Sequence, residues 1–371
     1  MHRRSFLARL AQGVLLARAA PLAARGGQAA PDVESAYAKA IVIDSLCGPF
    51  VSAGPGRMPS AEAVDAVARS GITAINFTIS DRDYEGTVRT LAFVQALADR
   101  WPQVFTIVRR AADIDRAKRD GRLGIMAGFQ YTSFLEEDPG RIETFRRLGV
   151  RIMQVTYNNR GLFGDGCLEP GNAGLSKAGH DAVGRMNALG VAVDTSHSGY
   201  RTTSDAIEGS AAPVLITHSG CAAVYAHPRN KPDTVLRALA NRGGYFGVYL
   251  MPYLVASPTV PTHEHVMQHL LHALNVCGTD HVGIGSDGSI EAVRLSAEEK
   301  RAFDEDIARR KTLGIGAPGE DRYPYVPDLN GPRHMAIIAG ELRRRGQPLS
   351  VVEKVLGANF RRVLGDIWGR S

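Results

Sequence analysis

Two histidines and one aspartate end short apolar segments, and a metal site could form there. His197 ends residues 191–197, His218 ends residues 214–218, and Asp287 ends residues 282–287. Imidazole is the commonest zinc ligand, and a carboxylate can bind a metal or act as a general base. Three such groups in equivalent places favour a metal site over ordinary hydrogen-bonding side chains. The sequence therefore predicts that these three side chains hold zinc.

The elements that must position these groups alternate regularly. Seven helical patterns are expected, at residues 61–70, 88–100, 141–148, 177–189, 202–208, 234–242 and 266–277. Eight apolar, β-branched segments predict strands at residues 41–44, 72–78, 123–129, 150–156, 191–196, 214–218, 245–250 and 282–287, with residues 104–108 as an extra edge piece. Eight repeats predict an α/β fold, a (β/α)8 TIM barrel.

Barrel active sites form at the carboxyl ends of the strands. Asp44, Tyr157, His197, His218 and Asp287 should therefore converge on one mouth. Residues 290–330 are rich in charge, glycine and proline, which predicts a long excursion beside that mouth. Residues 334–368 are expected to form helices that close the domain.

The chain has 371 residues and a formal charge of +6, but the charge is unevenly placed. Residues 1–30 hold five arginines and no acidic residue, so the remainder carries only +1. The order Arg3-Arg4-Ser5-Phe6-Leu7, an apolar stretch and a small-residue end resemble a twin-arginine export signal. The prediction is a signal at residues 1–30, a barrel domain at residues 31–371, and a periplasmic or secreted protein.

Several other classes of function are disfavoured. The mature chain lacks the basic cluster of a nucleic-acid binder. It also lacks an apolar stretch of about 18 residues, so no membrane span is expected. Phosphate-binding loops and the serine hydrolase elbow are missing. The four cysteines lack C-x-x-C spacing, and their pairing stays undetermined. Four histidines on one helix are expected to form a partly solvated face: His263, His265, His269 and His272.

Six segments, in this order, resemble the membrane (renal) dipeptidase family. They are VDTSH at 193–197, ITHS at 216–219, HPRN at 227–230, LRALANRGG at 236–244, HVGIGSD at 281–287 and VLGANFRRVL at 355–364. The resemblance implies an amidohydrolase-type barrel that holds two zinc ions and hydrolyses dipeptides. A homodimer is compatible with this resemblance. It makes His197 and His218 ligands of one metal, Arg229 the clamp for the substrate carboxylate, and Asp287 the metal-bound group that takes up the proton of water.

The chain departs from that family where the second metal is held. Leu46 and Gly48 stand in place of a His and an Asp on the first strand, and Ala127 stands near the position of a bridging Glu. Tyr157 replaces a His of the fourth strand and could donate a hydrogen bond to an oxyanion. Gln130, Cys47 and Asp165 are weak substitute ligands. One zinc ion per chain, or none, is therefore expected.

Three other segments resemble those of a divergent branch of the family: GFQ at 128–130, YNN at 157–159 and GDGC at 164–167. The sequence thus leaves two hypotheses. The first is an exported metallodipeptidase that cleaves the amide bond of dipeptides or related small substrates at an altered, mononuclear zinc site. The alternative is a protein without peptidase activity that binds or modifies a peptide-derived metabolite in the periplasm.

Overall fold

The computed structural model describes residues 31–369 except 52, 82, 133, 134, 136, 137 and 315. The predicted export signal lies outside the described residues. In chain order the strands are β1 (Ile43–Asp44), β2 (Cys47–Gly48), β3 (Ala74–Thr78), β4 (Phe105–Ile107), β5 (Leu123–Phe129), β6 (Ile152–Gln154), β7 (Ala192–Asp194), β8 (Leu215–Ser219), β9 (Tyr245–Val248), β10 (Val282–Ile284) and β11 (Gly288–Ser289).

The helices alternate with these strands and then continue as far as Trp368. They are α1 (Pro31–Lys39), α2 (Ala61–Ala68), α3 (Tyr84–Arg100), α4 (Ala111–Asp120), α5 (Arg141–Leu148), α6 (Lys177–Ala188), α7 (Tyr200–Gly209), α8 (Asp233–Asn241), α9 (His263–Cys277), α10 (Ala297–Thr312), α11 (His334–Arg344), α12 (Leu349–Glu353) and α13 (Asn359–Trp368).

The parallel sheet has the strand order β1-β3-β5-β6-β7-β8-β9-β10, with β4 paired on β5 outside that path. The two end strands of this order meet, since the Ser45 amide donates to Ile284 O at 2.9 Å. Just above, the short strands β2 and β11 pair in parallel, with Gly288 opposite Cys47. The sheet is therefore a nearly closed eight-stranded barrel. The TIM-barrel prediction is confirmed, and the edge piece at residues 104–108 corresponds to β4.

The last helix closes the bottom of the barrel. Residues 360, 363, 364, 367 and 368 of α13 recur at helical spacing and are buried. They pack in one cluster with the first residues of six strands, such as Ile43, Ala74 and Tyr245. The amino ends of the strands are thus sealed by apolar contacts, which leaves the opposite, carboxyl ends as the open mouth.

The segment of residues 291–333, which we name the cover segment, contains α10 and lies over that mouth. His227 Nε2 meets Pro318 O at 2.7 Å, and Arg322 Nη1 donates to Thr259 O at 2.8 Å. Both contacts tie the cover segment to loops that follow β8 and β9. The expected excursion beside the mouth is confirmed.

Two smaller expectations have different outcomes. All four cysteines are free thiols. The expected solvated histidine face on α9 is wrong for His269, which is fully buried. Its Nδ1 accepts from the Cys221 amide at 2.9 Å, and its Nε2 meets Leu254 O at 3.0 Å, so it joins α9 to the barrel.

Candidate active site

Each candidate side chain lies at the carboxyl end of a different strand of the barrel. Gln130 comes directly after β5, Tyr157 follows β6, and His197 follows β7. His218 is part of β8, and Asp287 follows β10. Because the strands are parallel, their ends converge, and the five side chains line or border one mouth.

The three predicted metal ligands lie together. One ligand atom from each of His197, His218 and Asp287 lies within 4.8 Å of the others. The two imidazole rings have centroids 5.0 Å apart and are buried. The pKa of both imidazoles lies well below the usual range. Burial is the larger cause, and the charge of Arg229 is the next. Both rings are therefore neutral at neutral pH, which is the form that can bind a metal.

Asn158 orients the first imidazole. Its Oδ1 lies 2.7 Å from His197 Nδ1, and in the tautomer that carries its proton on Nδ1 the Nε2 lone pair is available to a metal. Nε2 is buried and has no hydrogen-bond partner among the described residues. A buried polar atom without a partner costs free energy, and a metal ion would satisfy this one. Two neutral imidazoles and one carboxylate are a donor set that suits zinc with an open position.

A buried relay orients the second imidazole. His218 Nδ1 lies 2.9 Å from Thr217 Oγ1, and that hydroxyl donates to Asp194 Oδ2 at 2.6 Å. On the other side of the ring, His218 Nε2 lies 3.4 Å from Gln130 Nε2. The ring is therefore held from both sides with Nε2 facing the mouth.

Asp287 has an unusual backbone conformation and a raised pKa. Its φ is 57°, in the left-handed region that costs free energy for residues other than glycine. Gln130 Nε2 donates to its Oδ1 at 3.1 Å. Burial raises the pKa of Asp287 to about 6, although Arg229 and Gln130 act in the opposite direction. Such a carboxyl group can give and take a proton near neutral pH.

Arg229 is 1% exposed and lines the mouth. Its Nη1 contacts His197 Nδ1, while Nε and Nη2 have no partner among the residues that the structure covers. A buried guanidinium with open donors needs an anion, and its fork matches a carboxylate. Tyr157 stacks on the His197 ring at 4.2 Å, and burial raises the pKa of its hydroxyl, which stays protonated.

The positions at which the resemblance to the family implies a second metal offer no ligand in this chain. Leu46 and Ala127 are buried apolar residues. A Cβ on Gly48 would lie 3.6 Å from the Phe77 ring, so its surroundings are also partly apolar. Of the suggested substitutes, only Gln130 reaches the predicted ligands. The Cys47 thiol donates to Gly48 O at 3.2 Å, and Asp165 pairs with Arg160 at 2.8 Å.

The mouth encloses a cavity of about 210 Å³. Gln130, Tyr157, His197, Arg229 and Asp287 line it from the barrel. The cover segment adds mostly charged or aromatic side chains: Phe303, Asp306, Arg310, Glu320 and Arg322. Sequence reasoning missed Asn158 and Glu320 as site residues. The signal for Asn158 was its place next to Tyr157 after a strand, whereas nothing local marked Glu320.

A second group with metal-ligand chemistry lies away from the mouth. It comprises His263, Glu264 and Glu341. Arginines of α11 and its end already pair with both glutamates, for example Arg345 with Glu264 at 2.6 Å. This group is therefore an ion-pair network that joins α9 to α11.

The model of the membrane dipeptidase family, peptidase family M19, matches residues 60–301. Dipeptidase verJ of Clonostachys rogersoniana is 29% identical over 302 residues, which cover 79% of this chain and 69% of that protein.

Two solved structures share the fold. An amidohydrolase from Pseudomonas aeruginosa superposes with a TM-score of 0.78 at 30% identity, covering 91% of this chain and 99% of that one. A metallopeptidase from Rhodobacter sphaeroides, liganded with a phosphinate mimic of the dipeptide L-Ala-D-Ala, superposes with a TM-score of 0.69 at 19% identity. It covers 89% of this chain and 100% of that chain.

Proposed function

The chain belongs to the membrane dipeptidase family, and on that premise we propose that it hydrolyses small dipeptides at a site with one zinc ion. The ligands are His197, His218 and Asp287. The observation that carries this proposal is the convergence of these three groups within 4.8 Å, with a buried and unpartnered Nε2 on His197. The chemistry that such an ion supplies when bound is activation of water and polarisation of a carbonyl group.

Arg229 fixes one end of the substrate. Its free Nε and Nη2 donors form a fork that pairs with the terminal carboxylate of a dipeptide. The guanidinium is already buried and held against His197, so little side-chain entropy is lost on binding. Arg229 therefore places the scissile amide next to the three ligand side chains.

Asp287 and Tyr157 serve the chemical step. The Asp287 carboxylate can accept a proton from water and then return it to the leaving amine. The Tyr157 hydroxyl is protonated and can donate a hydrogen bond to the oxygen of the tetrahedral intermediate. Gln130 holds the Asp287 carboxylate in place through its amide group.

The size of the cavity limits the substrate. Its volume is about 210 Å³. That is below the range of about 300–1,000 Å³ found for typical ligand pockets. With the cover segment in place, dipeptides with small side chains fit best.

A second function has one observation in its favour. Leu46, Gly48 and Ala127 leave the second-metal positions of the family without ligands. A protein altered in this way could bind or modify a peptide-derived metabolite without cleaving it. It would keep ligand affinity through Arg229 while showing no amide hydrolysis.

The twin-arginine pattern supports export to the periplasm as a further part of the proposal. The substrates would then be small peptides present outside the cytoplasm. No helix of the described residues is long and apolar enough to cross a membrane. Cell fractionation of an Arg3→Lys, Arg4→Lys variant tests export: retention in the cytoplasm is expected, and unchanged export would contradict the signal.

Hydrolysis is tested with the purified protein, loaded with zinc, on a panel of dipeptides. We expect cleavage of small dipeptides by the wild type and a loss of at least about a thousandfold in His218→Ala, because a metal ligand is removed. His272→Ala is the matched control, since that side chain lies on α9 and pairs with Asp233. A wild type that binds dipeptides but cleaves none would support the second function instead.

A further inference from the structure

The cavity in the mouth has an acidic group on the side opposite to the barrel. Glu320 belongs to the cover segment and lines the cavity together with Arg229 and His197. Its side chain is 14% exposed. Arg229 and His197 line the same space, and Arg229 Nε and Nη2 and His197 Nε2 have no hydrogen-bond partner in the described part of the chain, which marks a ligand site. Glu320 is thus a nearly buried carboxylate at a site built for a polar ligand.

The two oxygens of Glu320 have different surroundings. Arg310 donates to Oε2 twice, from Nε at 3.0 Å and from Nη2 at 2.7 Å. Among the described residues, Oε1 receives only a long contact of 3.5 Å, from Asn158 Nδ2. One oxygen is therefore saturated by the arginine fork, while the other retains capacity to accept a strong hydrogen bond.

Asn158 connects Glu320 Oε1 to one of the predicted metal ligands, His197. It reaches Glu320 through Nδ2 and His197 through Oδ1, at 3.5 Å and 2.7 Å. Only one side chain therefore separates Glu320 from the first imidazole. Arg229 Nη1 contacts the same ring nitrogen, Nδ1, so a cation touches this imidazole and a carboxylate lies one side chain away from it.

We propose that Glu320 Oε1 accepts the free α-ammonium group of the substrate, so that the enzyme selects peptides with an unblocked amino terminus. This inference rests on the proposed dipeptidase function. A dipeptide carries a carboxylate and an ammonium group at its two ends, and the cavity offers a complementary charge for each. An ammonium that leaves water needs a paired acceptor, and Oε1 supplies one.

The other carboxylates near the cavity are less suitable. Asp306 is about half exposed, and its Oδ1 pairs with Arg309 at 2.6 Å. Asp287 is assigned to the metal and to proton transfer, and Gln130 holds it. Arg310 is a positioning residue in this scheme, because its two bonds to Oε2 fix the Glu320 carboxylate and leave Oε1 able to accept from a ligand.

The test compares Ala–Ala with N-acetyl-Ala–Ala on the wild type and on Glu320→Gln. We expect the wild type to prefer the free dipeptide, and the variant to raise KM for Ala–Ala at least about tenfold with a smaller change in kcat. The rate on the acetylated peptide should be the same in both proteins. Glu305→Gln is the control, since Glu305 is exposed on α10 and does not line the cavity.

The possible outcomes separate this inference from the proposed function. An equal loss on both peptides in Glu320→Gln, or no change on either, overturns the ammonium role while hydrolysis stands. A Glu320→Asp variant that regains part of the preference for the free dipeptide supports it. If the wild type cleaves neither peptide, calorimetric binding of the same pair decides: selective binding lost in Glu320→Gln supports the inference and contradicts hydrolysis, whereas unselective binding overturns it.

Discussion

At the residue scale, the site combines groups that the sequence marks with groups that only the fold reveals. His197, His218, Asp287, Tyr157 and Arg229 follow strands or a conspicuous motif, so their meeting at one mouth could be predicted. Their individual roles stay predictions. Asn158 and Glu320 could not be found in this way, because their importance arises from contacts across 39 and 162 residues of chain.

Arg229 offers the sharpest test of substrate binding. Arg229→Lys keeps the positive charge but loses the planar fork, so the bidentate bond to the substrate carboxylate is lost. We expect KM for small dipeptides to rise by at least about tenfold, with kcat less affected. Steady-state kinetics measure both constants.

The control for that variant is Arg322→Lys. Arg322 also lines the cavity, but its guanidinium is bound to the carbonyl groups of Thr259 and Val255. We expect a much smaller rise of KM there. Equal effects of the two substitutions would contradict a specific carboxylate clamp.

Lys231 makes a prediction about pH and stability. The side chain is 1% exposed, its Nζ donates to Ser198 O, and burial lowers its pKa from 10.5 to about 7. Between these pH values the unfolded chain holds a proton that the folded chain lacks, so stability rises with pH. We expect the free energy of unfolding of the wild type, relative to Lys231→Met, to increase from pH 7 to pH 10.

Chemical denaturation at several pH values measures this difference. Because both proteins share all other titrating groups, the comparison isolates Lys231. A difference that stays constant with pH would show that Lys231 is charged throughout this range in the folded protein.

At the scale of elements, the alternation of strands and helices was predictable because each strand is a short apolar run covered by helices on one face. All eight expected strands form, and α5 has the expected bounds. Several strands end earlier than expected. Residues such as Val155 and Ser196 are instead buried in the turns that lead into the mouth. His269 shows what helical periodicity cannot predict. Its face of α9 is buried by loops from elsewhere in the chain, which the sequence pattern of α9 does not reveal.

The closing seam of the barrel, where the ends of β1 and β10 meet, depends on glycine. A Cβ at Gly285 would lie 1.9 Å from Thr217 O and 2.6 Å from Ser45 Oγ. We expect Gly285→Ala to lower the free energy of unfolding by about 3 kcal/mol or more, because an overpacked interior must shift its backbone. Gly184→Ala in α6 is the control: its Cβ would meet nothing within 4 Å, and we expect a gain of up to about 1 kcal/mol. Equal stabilities of the two variants would contradict a tightly packed seam.

At the scale of the whole molecule, the fold and the enzyme class follow from the family. Membership confirms a metallodipeptidase-type barrel, as the six motifs indicated. The charge of +6 is concentrated in residues 1–30, so the barrel itself is nearly neutral and offers no reason to expect a polyanion as its partner. On the proposed ligand assignment, this chain keeps the first metal site and lacks the second-metal ligands that the resemblance to the family implies.

The metal content of the purified protein tests this account most directly. After equilibration with zinc and removal of free metal, mass spectrometry of the element gives the number of ions per chain. We predict one zinc ion per chain in the wild type and a loss of that ion in His197→Ala and in His218→Ala. Two ions per chain, or none in a correctly folded wild type, would contradict a mononuclear site.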